Sequence, residues 1–167
     1  LRQSEKKHRA IFENATEGIF QISLDHDLMS ANPAMASIFG YAGVEDLMTD
    51  GHCFLQCVIS SDDRVRLLSQ ALQLGVARNV ELDAFKADGT KTWISMNVRT
   101  VKRADGCISH LEGSVRDVSM RKKAERKLAV QKGLFQQLFD NSPLGILLLG
   151  KDGAPMDINP SFTSLFG

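Results

Sequence analysis

FENATEGIFQISLDHDLMSANPAMASIFG, residues Phe12 to Gly40, returns at Phe139 to Gly167 as FDNSPLGILLLGKDGAPMDINPSFTSLFG with no insertion. The offset of 127 positions aligns Asn14 with Asn141, Gly18 with Gly145, Ile19 with Ile146, Asn32 with Asn159 and Pro33 with Pro160. Residues 8 to 40 set against 135 to 167 give 11 identities in 33 pairs, and a shared period of this kind decides the organisation before any single element does. The chain reads as one complete unit, a connector, and the opening of a second unit.

Within the repeated stretch, GIFQISLD places Phe20, Ile22 and Leu24 on one face of a strand by strict alternation. His26 and Asp27 make a turn, and LMSAN reads as a second short strand. Asn32 before Pro33 is a helix start, because Asn caps free N–H groups and Pro suits the first helical position. PAMASIFG then presents Met35, Ile38 and Phe39 and stops at Gly40.

Upstream, LRQSEKKHRAIFEN is helical by composition. Downstream come short helical turns at Val44 to Met48 and His52 to Val58. A longer helix opens at Ser61, with Asp62 and Asp63 in its first turn and an apolar stripe of Leu68, Ala71, Leu72 and Val76. Three strand-like runs follow, RNVELDAFK, KTWISMNVRTV and CISHLEGSVRDV, separated by two Ala-Asp-Gly turns that signal hairpins.

Hydrophobic residues at 43% and charged residues at 24% are ordinary for a globular protein. Twenty basic against 20 acidic side chains ask for neither nucleic acid nor an anionic membrane. No run approaches the roughly 20 apolar residues that span a bilayer, and no signal peptide is evident. Three cysteines read as reduced thiols of a cytoplasmic protein.

The ordered set FENATEGIFQISLDHDLMSANPAMASIFGY, SSDDR, KADGTKTWISMNV and VRDVSMRKKAERKL resembles a PAS domain of the sensory-box type, with Asp117, Val118 and Ser119 standing where that family carries its Asp-Ile-Thr ending. The resemblance implies an α+β fold. Its sheet is antiparallel, with five strands in the spatial order 2-1-5-4-3; small helices cover one face, and N-terminal and C-terminal linker helices flank it. It divides the chain into an N-terminal linker helix over 1–8, a complete PAS domain over 9–119, a signalling linker helix over 120–135 and the truncated start of a second PAS domain over 136–167. The 136–167 tail is expected to pack on the first domain or a partner chain, or to be poorly ordered, since an isolated hairpin is marginal in water.

PAS domains often hold a cofactor in the space between sheet and helices. Phe20, Ile22, Met35, Phe39, Leu55, Leu68, Leu72, Ile94, Met96 and Val98 would converge there, either around a small-molecule ligand or against one another as a filled core. The identity of any cofactor is left open. GHCFLQ resembles the flavin-photoreceptor subclass, whose cysteine adds to the flavin, but His52 precedes Cys53 where that subclass has Asn, and Phe54 follows where it has Arg. That subclass also uses polar side chains on the last three strands, where this chain has Ala84, Ile94 and Val115. Haem is disfavoured because residues 60 to 75 hold no axial His, and His52, Cys53 and Cys57 lack the further ligands that complete a metal set. No Ser/His/Asp arrangement or phosphate-binding glycine loop is present, so this fragment reads as a non-enzyme.

Function is then expected at the joint. Ser119 can cap a helix from Met120, and Asp117 can be tied to Arg121 or Lys122, so that strain in the last strand passes along a rod. Ala124, Leu128, Gln131, Phe135 and Leu138 recur at spacings of four and three, a coiled-coil seam or an ordinary amphipathic linker face. The resemblance favours a homodimer joined through the linker helices. It implies a sensory module that binds a ligand or relays a signal to a C-terminal effector, such as a histidine kinase or a cyclic-dinucleotide cyclase or phosphodiesterase.

Overall fold

The computed structural model describes residues 2–50 and 54–166. It falls into two compact units, one ending at Met120 and the other beginning at Arg121. In the first, helix α1 (Arg2–Glu13) leads into strands β1 (Gly18–Ile22) and β2 (Leu28–Ala31). Helices α2 (Pro33–Ile38), α3 (Val44–Thr49), α4 (Phe54–Val58) and α5 (Ser61–Leu74) come next, followed by the long strands β3 (Val76–Phe85), β4 (Lys91–Lys102) and β5 (Ile108–Asp117). The sheet is antiparallel throughout in the order β2-β1-β5-β4-β3, as the resemblance implied.

Local chemistry sets the boundaries. The hairpin turns after β3 and β4 are two copies of one device. The Asp88 carboxylate accepts the Thr90 N–H and the Asp105 carboxylate accepts the Cys107 N–H, while Gly89 and Gly106 take the left-handed φ of +79° and +85°. Ser60 caps α5 through the Asp63 N–H, and Gly75 ends it at φ +78°. β1 stops at Ile22 because Ser23 to Asp27 closes a turn, so Leu24, which continues the alternation in sequence, is half exposed rather than inward.

The inner face of the sheet carries Phe20, Ile22, Leu82, Ala84, Ile94, Met96, Val98, Leu111 and Val115, and the helices close over it with Met35, Phe39, Leu47, Phe54, Leu55 and Leu67. Each large side chain withdrawn from water here contributes about 1.5–3 kcal/mol before the entropy of ordering is subtracted.

One buried side chain joins the entry helix, the first hairpin and the first covering helix. Asn32 Nδ2 donates to the carbonyls of Phe12 (3.0 Å) and Glu17 (2.9 Å), and its Oδ1 accepts the N–H groups of Ile19 (2.8 Å) and Met35 (3.0 Å). Gly18 permits the close approach: a Cβ there would lie 2.6 Å from the Val115 side chain and 2.9 Å from the Met35 backbone.

The second unit contains most of helix α6 (Ser119–Asp140), strands β6 (Leu147–Leu149) and β7 (Pro155–Ile158), and helix α7 (Pro160–Phe166). Its hairpin repeats the first one bond for bond at the same 127-residue offset. Asn159 Nδ2 donates to Phe139 and Leu144 carbonyls, and Oδ1 accepts from Ile146 and Phe162 N–H. Phe20↔Ala31 has its counterpart in Leu147↔Ile158, and the register shift before Ile22 recurs before Leu149. His26 (φ +71°) and Gly153 (φ +79°) occupy the same left-handed turn position. Asn159 is fully buried, whereas Leu149 and Ile158, equivalents of the inward Ile22 and Ala31, are exposed.

Candidate functional site

The sheet and helices bring together nearly all the residues expected to line an interior pocket. Phe20 and Ile22 from β1, Ile94, Met96 and Val98 from β4, Met35 and Phe39 from α2, Leu55 from α4 and Leu68 from α5 converge on one volume. Seven of them, Phe20, Ile22, Met35, Phe39, Leu55, Ile94 and Met96, have no exposed surface at all. A side chain with no accessible area is in contact with protein on every side, and these belong to one contiguous apolar cluster. Phe39 and Phe54 meet edge to face with ring centres 5.1 Å apart.

Leu72, expected among them, is the exception. It is 48% exposed, because α5 turns Leu67, Leu68 and Ala71 inward and the next residue falls about 100° further round the helix. Leu47, Leu67 and Leu111 fill positions that sequence reasoning did not assign; for Leu67 the signal was its place four residues before Ala71. Ala84, Ile94 and Val115 stand inward on adjacent strands with no exposure, so that region offers a ligand no polar side chain. His52 and Cys53 lie outside the described residues, and Cys57 is exposed on α4.

At the end of β5 a small polar network holds the joint. The Ser119 N–H donates to Asp117 Oδ1 at 2.8 Å, the Ser119 hydroxyl lies 2.8 Å from the buried Thr92 hydroxyl, and it accepts the Trp93 N–H at 3.1 Å. The Val118 N–H continues the ladder to the Trp93 carbonyl at 2.8 Å. Ser119 is therefore clamped to β4 at the first residue of α6. Lys86, in the β3–β4 turn, places a positive charge beside Asp117, and Arg121 pairs with Glu125. The same turn reaches the covering helices, since the Ala87 N–H donates to the Phe39 carbonyl at 2.9 Å.

Burial acts to raise the pKa of Asp117, but hydrogen bonds from Ser119, the charge of Lys86 and the Thr92 hydroxyl together hold it below the usual aspartate value. A carboxyl lowered in the folded state stabilises it above the unfolded pKa, and that contribution is lost as pH falls through the folded pKa. We expect Trp93 emission, from the only tryptophan in the chain, to show an acid transition below the ordinary aspartate range. Asp117→Asn, which keeps an acceptor for the Ser119 N–H, should remove the Asp117 part of it. An unchanged transition in that variant would assign the step to Glu17, Glu112 or Asp88, whose carboxyls are also lowered.

The outer face of the sheet is polar and ordered in cross-strand rows. Gln21 donates to Glu112, and Glu112 pairs with Arg99; Asn97 donates to Ser114; Arg116 pairs with Glu17. Phe12 from the end of α1 borders this face.

A family model described as PAS fold matches residues 6–118, and one described as PAS domain matches residues 133–167. The bacterioopsin transcriptional activator of Halobacterium salinarum is 26% identical over 116 residues, covering 70% of this chain and 17% of that protein. Sporulation kinase E of Bacillus subtilis is 42% identical over 52 residues, covering 31% of this chain and 7% of that protein. The chain thus spans less than a fifth of either relative. The solved PAS domain of a Colwellia psychrerythraea protein superimposes with a TM-score of 0.60 at 16% identity, covering 70% of this chain and 98% of that one, a likeness of fold. With the five-stranded sheet in its 2-1-5-4-3 order and a matching family model over two thirds of its length, the chain belongs to the PAS family of sensory domains.

Proposed function

We propose that this PAS module is a relay and dimerisation unit whose interior is a filled core, rather than a chamber for a diffusible ligand. The observation that carries this reading is the complete burial of Phe20, Ile22, Met35, Phe39, Leu55 and Ile94 against one another. The inward Ala84, Ile94 and Val115 add to it, since a flavin's polar edge would be left unpaired there at a cost of about 1–3 kcal/mol per buried group. Input from elsewhere in the parent protein enters through α1 and the sheet, and leaves through α6 by way of the Asp117–Ser119 joint.

Leu128, Phe135 and Leu138 are more than half exposed on α6, and with Ala124 and Gln131 they supply a seam for the same helix of a second copy. The domain limits follow from this reading: linker over 1–8, PAS domain over 9–119, signalling helix over 120–135 and the second PAS copy from 136. The parent is a cytoplasmic signalling protein, and its relative sporulation kinase E favours a kinase as the output.

A native mass spectrum tests both parts. The expected species is twice the 18.4 kDa chain mass with no adduct, and Leu128→Asp with Leu138→Asp should convert it to monomer, weakening association at least tenfold. A constant excess mass released on denaturation and retained in Arg78→Glu, on the outer face of the sheet, would overturn the filled core; a dimer indifferent to the double substitution would overturn the helical seam.

A further inference from the structure

The interior is filled, but the opposite face of the sheet is not. A groove of about 850 Å³ crosses the outer face from Ser30 on β2 to Val76 and Arg78 on β3, with Phe12 at its other border. Its volume lies in the range of small-molecule sites. The floor is largely self-satisfied. Glu112 is engaged by Gln21 and Arg99, and Asn97 accepts the Asn79 N–H at 2.8 Å while donating to Ser114.

Arg78 differs from these. It sits in a bulge between Ala77 and Val80 where Asn79 adopts φ +51°, and Asn97 pins that bulge to the floor. Arg78 follows the fully buried Ala77, so strand alternation turns it to the outer face, where it lines the groove with Val76. Its guanidinium makes no hydrogen bond or ion pair among the described residues. Arg99 and Glu112 cancel, which leaves the groove one net positive charge from Arg78. Apolar surface comes from Phe12 and Ile19 at the β1 side and from Val76 beside Arg78.

We propose that this groove binds an amphipathic monocarboxylate, its carboxylate paired with Arg78 and its hydrocarbon part laid across the sheet onto Ile19 and Phe12. A guanidinium suits a carboxylate because its two parallel N–H donors match the two oxygens. From β3 to β1 is three strand steps of about 4.8 Å, roughly 14 Å, which is close to the length of an extended ten-carbon acid.

The test is a calorimetric titration of the 167-residue chain with sodium decanoate, below its aggregation limit, and with decanol as the uncharged counterpart. The expected result is saturable binding at one decanoate per chain, weakened tenfold or more in Arg78→Glu and in the milder Arg78→Gln. Arg103→Glu, at the exposed β4–β5 turn outside the groove, should leave it unchanged, and decanol should bind at least tenfold more weakly. No saturable heat, affinity indifferent to both Arg78 substitutions, or equal affinity for decanol would each overturn the site. Co-purified mass lost with Arg78→Glu belongs to this groove, whereas mass retained in that variant belongs to the interior, so the two readings fail separately.

Discussion

Asn32→Ala is expected to lower the unfolding free energy of the first unit by about 3–5 kcal/mol, a large part of the stability of a domain this size. The substitution removes four hydrogen bonds at once and replaces them with nothing. Two carbonyls, of Phe12 and Glu17, and the N–H of Ile19 lose a partner beside a residue with no exposure, while the Met35 N–H keeps its bond to the Asn32 carbonyl. Each buried group left unsatisfied costs about 1–3 kcal/mol, set against a net worth near 1 kcal/mol for an ordinary bond. Urea denaturation followed through Trp93 measures this directly, since that side chain belongs to the first unit. The companion substitution Asn159→Ala breaks the equivalent clamp in the second unit and should leave the Trp93 midpoint within about 0.5 kcal/mol of the parent. An Asn32→Ala effect below about 1 kcal/mol would show that the clamp is replaced by water or by relaxation.

Gly113→Ala should destabilise by about 2–4 kcal/mol, against the ordinary expectation that alanine improves on glycine within regular structure. A Cβ at this position would collide with the backbone oxygen of Asn97 and lie 3.0 Å from the tip of the Phe20 ring. The first contact decides the outcome, because a neighbouring strand's carbonyl moves only if β4 and β5 separate. Trimming the ring with Phe20→Leu should therefore fail to rescue Gly113→Ala. Gly133→Ala provides the opposite sign: that glycine lies within α6 with nothing within 4 Å of a new Cβ, and alanine there should strengthen the helix by about 1 kcal/mol. If Gly113→Ala proved as benign as Gly133→Ala, the close passage of the two strands would be wrong.

These two effects also mark what can be read from a sequence. Alternation in KTWISMNVRTV sufficed to turn Ile94, Met96 and Val98 inward, and Asn32 before Pro33 was legible as a cap. That the same amide also reaches back 20 residues to the Phe12 carbonyl was not, because nothing local to Asn32 encodes where the preceding helix ends. Leu24 and Leu72 were misplaced for one reason: each extends a periodic pattern past the point where a turn or a helix rotation withdraws it from the core. The influence of Lys86 on Asp117 was not legible, because the β3–β4 turn brings them near each other through sheet order and not through nearness in sequence. The bulge after Ala77 was not legible either, since bulges leave no reliable trace in composition. Gly113 was legible as a landmark; its purpose was not, since it rests on the distance between two strands.

The amide clamp has a bearing on how the chain comes into being during synthesis. Its four bonds span separations of 3 to 20 residues, so all of its members have left the ribosome once the first covering helix has. The pairing of β1 with β5, by contrast, joins Gly18 to Val115 and must wait for nearly the whole domain. A nascent hairpin held by Asn32 can keep its apolar face in register during that interval, and the second hairpin, with the same internal lock at Asn159, can begin to organise independently of the first. Each lock uses only residues of its own segment, so neither depends on the other being formed.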